Sequence, residues 1–285
     1  MSDAYLKVIR SKVDAFPAMP GHSLRVLKVL RSVDAGADAI EQVVGLDPGL
    51  TANILRFANS AFVGLRGKVG SLREVVAQLG IDRLAEMTMA ASVNSMMGKR
   101  LKGYDIEPGE MWRHSIGVAV GAEILAKDYG LGVNGDAFTA GLLHDVGKLV
   151  CDSFVGNQWS EFVRVMPRCD SFDAAERQIL SVDHAAVGAE ILSHWGLPDV
   201  LVDAVRWHHR PDQVTDLTSR PLVDSVHMAD AVAQMIGWSD GREGLDCEYS
   251  SEVAARLKLD QRSVEVLISK VIRGAEEMLE VIGTI

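Results

Sequence analysis

The chain has no apolar run approaching the roughly 18 residues a helix needs to cross a bilayer. Its first dozen residues carry Asp3, Lys7, Arg10 and Lys12, where a signal peptide would need an uninterrupted apolar core. A cytoplasmic protein with no membrane partner is the expectation. Cysteine is scarce: Cys151, Cys169 and Cys247 lie too far apart for a ligand or redox motif, and read as core residues or free thiols in a reducing compartment. Basic charge is in deficit, with 29 Lys and Arg against 39 Asp and Glu. The resulting net charge of −10 argues against nucleic acid, whose binding depends on basic patches, and against an anionic membrane surface. The most basic short stretch, Lys99-Arg100-Leu101-Lys102, reads as a solvated linker rather than a helix-turn-helix reader of DNA. Alternating β-branched runs are missing too, so no strand is expected. With only eight prolines to break helices, the 26 glycines suit the ends of many short ones.

Helical periodicity dominates what is there. A hydrophobic content of 48% allows a sizeable core and weighs against disorder. Tyr5, Val8, Ile9 and Val13 share a face of a helix over 4–15, and Leu24, Leu27, Leu30 and Val33 mark another over 22–33. Asp47 and Pro48 read as N-cap and first helical residue of a helix running to about Phe62. Ser71 and Glu74 fit a capping box, Gly80-Ile81-Asp82 a turn, and 82–98 a Met- and Ala-rich helix. Met87, Met89, Met96 and Met97 read as core packing, though adaptable methionines also serve partner binding. Asn59-Ser60 reads as a helix C-terminal device. Residues 99–107 are polar and mark the clearest seam. Beyond it, helices are expected over 108–129, 134–151, 157–166, 172–181, 184–195, 198–208, 221–237, 249–257 and 261–282. The fold class is therefore all-α, a multi-helix bundle over 104–285 preceded by a helical part over 1–103.

Within 134–151, His144-Asp145 stands among Ala140, Leu142, Leu143, Val146 and Leu149. Burying a carboxylate there is costly unless something compensates it, and imidazole plus carboxylate are donors that transition metals accept. Lys148 follows one helical turn later. Other metal-competent groups recur along the chain. Glu110 and His114 are spaced to share a helix face, or are an exposed Glu and a satisfied core His. His184 opens a helix, either as a donor or as a polar N-terminal residue. His208-His209 closes an apolar helix, where the pair could also bond its last carbonyls. Asp230 sits among Val226, Met228, Ala229, Ala231 and Val232, and needs a partner if buried.

His114, His144-Asp145 and Asp230, in that order on separate helices, resemble the H…HD…D signature of the HD superfamily of metal-dependent phosphohydrolases. Glu110, His184, His208 and His209 resemble the extra ligands of its HD-GYP branch, and Lys148 matches the lysine of that branch's HDxGK motif. The histidine pair is followed here by Arg210-Pro211-Asp212-Gln213, so the Gly-Tyr-Pro loop is missing, which argues against cyclic-dinucleotide hydrolysis. Phe16-Pro17-Ala18-Met19-Pro20, Asp47-Pro48-Gly49-Leu50-Thr51, Arg56-Phe57-Ala58-Asn59-Ser60-Ala61, Ser71-Leu72 through Leu79-Gly80, Asp183-His184 and Trp195-Gly196-Leu197-Pro198 follow in the order typical of the HDOD family, the HD-related output domains. That resemblance runs from about residue 14 to about 236.

The resemblance implies a bacterial signalling module with a metal site of one or two divalent transition ions (Fe, Mn, Zn or Ni). Glu110, His114, His144, Asp145, His184, His208, His209 and Asp230 are the candidate ligands, with Asp145 bridging if two ions are held. The expected partner is a signalling protein or a small nucleotide-like ligand. The alternative is a metal-dependent phosphohydrolase, in which Asp145 and Lys148 would take catalytic roles.

Overall fold

Helix supplies the regular structure of the described residues, apart from one antiparallel bridge between Leu101 and Ile106. The computed structural model describes residues 2–17, 48–60, 63–65, 67–238, 241 and 249–282. The helix expected over 22–33, the cap at Asp47, Phe62 and Cys247 lie outside them. The chain divides into two compact units, one of residues 1–16 with 97–272 and one of 17–96 with 273–285. No described helix is long and apolar enough to cross a membrane.

In the second unit, α2 (Pro48–Ala58) buries Leu50, Ile54, Phe57 and Ala58. The side chain of Asn59 then acts as a piece of backbone. It donates to the carbonyls of Leu55 and Val69 and accepts from the Val69 N–H at 2.8 Å. It is thus a C-terminal device, working through its amide. At α3 (Leu72–Met97), Ser71 Oγ accepts the Glu74 N–H, while the Glu74 carboxylate takes the N–H of Gly70 rather than that of the cap itself. The expected turn survives as a kink at Gly80, whose φ of 84° is not helical. Met87, Met89 and Met97 are buried, as core packing requires.

The first unit begins with α1 (Ser2–Asp14) and resumes with α4 (Glu110–Asp128), a helix buried almost throughout, with Trp112, Ile116, Val120 and Leu125 fully enclosed. It packs against α5 (Asn134–Leu143) and α11 (Arg220–Met235). The single helix expected over 134–151 is two helices. α5 stops at Leu143, and α6 (Lys148–Asn157) starts after a tight turn over His144–Gly147 closed by Val146 N–H to Leu143 O and Lys148 N–H to Asp145 O. Gly147 lets this turn close onto the helix that starts at His184: a Cβ there would lie 1.9 Å from the carbonyl oxygen of His184, so only glycine fits. Then come α7 (Trp159–Val165), α8 (Phe172–Leu180), α9 (His184–His194), α10 (Asp199–Trp207), α11, α12 (Ser251–Arg256) and α13 (Gln261–Ile282). α9 lies against α1, α6 and α10, and α10 against α5 and α11. Ends of several of these helices converge, and the buried His144, Asp145, Lys148, His184 and His208 sit where they meet.

Candidate metal centre

Five elements deliver the cluster. His114 comes from the second turn of α4, His144 and Asp145 from the turn after α5, and His184 from the first residue of α9. His208 and His209 follow α10 directly, and Asp230 lies on α11. The donor atoms form two groups: Asp145, His184, His208 and His209 in one, and His114, His144 and Asp230 in the other, each within 4.8 Å of one another. Asp145 joins the groups. Its Oδ1 is 3.2 Å from His184 Nε2 and 3.8 Å from His208 Nε2, while its Oδ2 is 3.2 Å from His144 Nε2 and 3.7 Å from His114 Nε2. Asp230 Oδ1 stands 3.3 Å from His114 Nε2. Lys148, fully buried, donates to Asp145 Oδ2 at 2.9 Å. The shared face expected for Lys148 and His144 becomes, across the turn, an ion pair with Asp145.

The outer nitrogen of four of the rings is fixed. His114 Nδ1 donates to Trp238 O, His144 Nδ1 to Gly141 O, His208 Nδ1 to Val205 O, and His184 Nδ1 to the Glu176 carboxylate. In a neutral ring a proton held on Nδ1 leaves Nε2 with a lone pair directed inward, the arrangement by which outer partners orient metal-binding imidazoles. Gly237, in the left-handed region, ends α11 and turns Trp238 back so that its carbonyl reaches His114. His208 Nε2 is buried and makes no hydrogen bond. A buried acceptor without a donor costs free energy, and a cation removes that cost. The residues present therefore fit a divalent metal.

The charges agree. Burial disfavours protonated His184, but the Glu176 carboxylate holds the imidazole well above its ordinary pKa. His208 is pushed well below by burial and by the rings of His209 and His144. His209 is pushed down to about 4 by desolvation and by His184. Asp230 stays ionised despite burial because His114 bonds to it and His144 stands near. The last three offer their lone pairs at neutral pH.

Glu110 is not brought in. It is exposed at the start of α4, and its carboxylate accepts the N–H of Glu107 at 2.7 Å. Glu107 precedes the helix, so this bond ties the entering loop to the first helical residue. His114, one turn on, has the depth that Glu110 lacks.

Other residues of the site escape a reading of motifs. Glu176 accepts both the backbone N–H and the ring Nδ1 of His184, and takes the hydroxyl of Tyr104 on its other oxygen. Its position was legible, because it falls on the same stripe of α8 as Phe172, Ala175 and Leu180, all buried. Asp183 caps α9 through the Ala186 N–H and gathers Arg177 and Arg210, each at 2.6 Å. These arginines, with Asp173, His209, His227 and Asp230, line a cavity of about 570 Å³ that opens onto the cluster.

Three comparisons bear on this architecture. The HDOD domain family matches residues 16–211. A curated relative, an uncharacterised protein of Treponema pallidum (strain Nichols), is 23% identical over 230 residues, which is 80% of this chain and 44% of that protein. The chain thus spans less than half the length of this relative. Among solved structures, an HDOD domain protein of unknown function from Geobacter sulfurreducens is 23% identical, with a TM-score of 0.76 over 98% of each chain. A protein provisionally named a phosphohydrolase, from Shewanella amazonensis SB2B, is 24% identical, with a TM-score of 0.74 over 96% of this chain and 98% of its own. One provisionally named a signal transduction protein, from Marinobacter aquaeolei VT8, is 23% identical, with a TM-score of 0.70 over 94% of this chain and 59% of its own. At such identities the likeness is one of fold.

Proposed function

The chain belongs to the HDOD domain family, and on that premise we propose that it is a signalling module built around a divalent metal centre. It would act by binding a signalling protein or a small nucleotide-like ligand. The observation that carries this reading is the inward convergence of imidazole lone pairs on Asp145, with the outer nitrogens fixed by Trp238, Gly141, Val205 and Glu176. Within the cluster, hydrogen bonding leaves the buried His208 Nε2 unsatisfied. The cavity bordered by His209 and Asp230 offers a ligand access to that centre, and its volume falls in the range of small-molecule sites.

A second reading is a metal-dependent phosphohydrolase, which the same cavity favours because Arg177 and Arg210 stand beside His209 and Asp230. Bound ions would there acidify a water and neutralise a phosphoryl group. In this reading Asp145 holds the two donor groups in register, and Lys148, on its Oδ2, keeps the carboxylate ionised. The deciding experiment loads the protein with Mn²⁺, Fe²⁺, Zn²⁺ or Ni²⁺ and offers it bis-p-nitrophenyl phosphate and a panel of nucleotides. The module reading expects saturable effects of a nucleotide on thermal stability without turnover. Turnover lost in Asp145→Asn would establish the hydrolase instead.

A further inference from the structure

We infer that the two donor groups load in a fixed order: Asp145, His184, His208 and His209 take the first ion, His114, His144 and Asp230 form the weaker seat, and Glu176 and Lys148 set the difference. The inference rests on the proposed metal-holding role and deepens it. The two groups share a carboxylate, yet their surroundings are unlike. Each has three donors of its own beside the shared Asp145, and the difference lies in what stands behind them.

Behind the first group stands Glu176, whose Oε2 is 2.7 Å from His184 Nδ1 and 2.8 Å from the His184 backbone N. Its Oε1 is held in turn by the hydroxyl of Tyr104. Tyr104, Glu176 and His184 are fully buried, so this relay is unscreened by water. A carboxylate behind an imidazole makes its inner nitrogen a stronger donor than a carbonyl does. His114, His144 and His208 have only carbonyls behind them. Glu176 is thus a positioning residue for one group.

Lys148 takes an oxygen from the other, although its ammonium also lies 5.7 Å from the ring centroid of Tyr104 behind the first. Its ammonium sits 2.9 Å from Asp145 Oδ2, the oxygen that faces His144 and His114, while Oδ1 faces His184 and His208. A buried positive charge on that side repels a cation entering the second seat and competes for the oxygen it would use. The result is one firmly held ion beside one exchangeable ion, an arrangement through which a change in free divalent metal could alter the cavity lined by Asp230.

The test is a titration of chelator-stripped protein with Co²⁺, followed by visible absorption and by calorimetry. The wild type is expected to fill in two resolved steps. Glu176→Gln should weaken the first step by about tenfold or more and leave the second in place. Tyr104→Phe should shift the same step in the same direction, which guards against a folding defect in the first variant. Lys148→Met keeps the apolar stem and should tighten the second step by about tenfold. Equal filling of both seats in the wild type, or a second step that Lys148→Met leaves unmoved in a variant of native helix content, overturns the order while leaving the metal centre standing. Absence of any Co²⁺ binding removes the centre and the order together.

Discussion

His114 and His144 face each other Nε2 to Nε2 at 3.1 Å, and the far nitrogen of each ring is held by a backbone carbonyl, that of Trp238 for one and of Gly141 for the other. With both Nδ1 atoms donating, two neutral rings would set lone pair against lone pair, so the contact needs either a shared proton or a cation between them. In the other group His184 and His209 also meet Nε2 to Nε2, at 2.9 Å, with the Glu176 carboxylate rather than a carbonyl behind His184. Two such contacts on either side of one carboxylate give the site its character.

The position of Glu110 sets a contrast. Glu110→Ala should leave metal content unchanged and move stability by less than about 0.5 kcal/mol, as for most surface changes. His114→Ala, one turn along the same helix, should remove an ion. Elemental analysis of the two purified variants checks both. Loss of metal from Glu110→Ala would return that residue to the ligand set.

Gly147 should tolerate no side chain. In Gly147→Ala the new Cβ meets the His184 carbonyl and the Gly188 N–H, 1.9 and 2.6 Å away, and backbone must shift on one side or the other. A loss of about 1–3 kcal/mol is expected from overpacking of this kind, measured as a lower urea midpoint. Metal affinity should fall with it, because the turn carrying Asp145 and the helix carrying His184 are pressed apart.

Cys151 should be inert. Its thiol is fully buried, and burial, then the Glu176 carboxylate, push its pKa well above the ordinary value. The thiolate is the reactive form, so raising the pH from 7 to 9 should not expose it to a thiol reagent in the native state. Cys169, half-exposed, should label readily. Mass spectrometry after brief alkylation, with and without urea, reads both; native labelling of Cys151 at pH 9 would contradict its enclosure.

Much of this architecture was legible because helices announce themselves by period. Expected and observed helices over 184–195, 198–208 and 261–282 agree within a residue or so. The break inside 134–151 was not legible, since Leu142, Leu143, Val146 and Leu149 keep a helical pattern through the turn. The turn rests on α9, a contact far away in sequence that a local pattern does not encode. His114, His144, Asp145, His184, His208, His209 and Asp230 could be picked out as polar groups in apolar surroundings. Glu110 shared their chemistry but not their burial, and spacing alone does not tell a helix's first turn from its second. Glu176 was missed because glutamate in an amphipathic helix reads as solvent-facing, and only its place on the apolar stripe of α8 betrays it. Trp238 contributes a backbone carbonyl, which no side-chain pattern reveals.

The most direct measurement is the metal content of the protein, paired with its melting temperature before and after chelation. The account predicts one or two divalent ions per chain, a lower melting temperature once they are stripped, and recovery on adding metal back. An ion at a hundred times its dissociation constant adds about 2.7 kcal/mol to the folded state. A stripped protein that melts where the native one does, and takes up no ion when offered one, would contradict it.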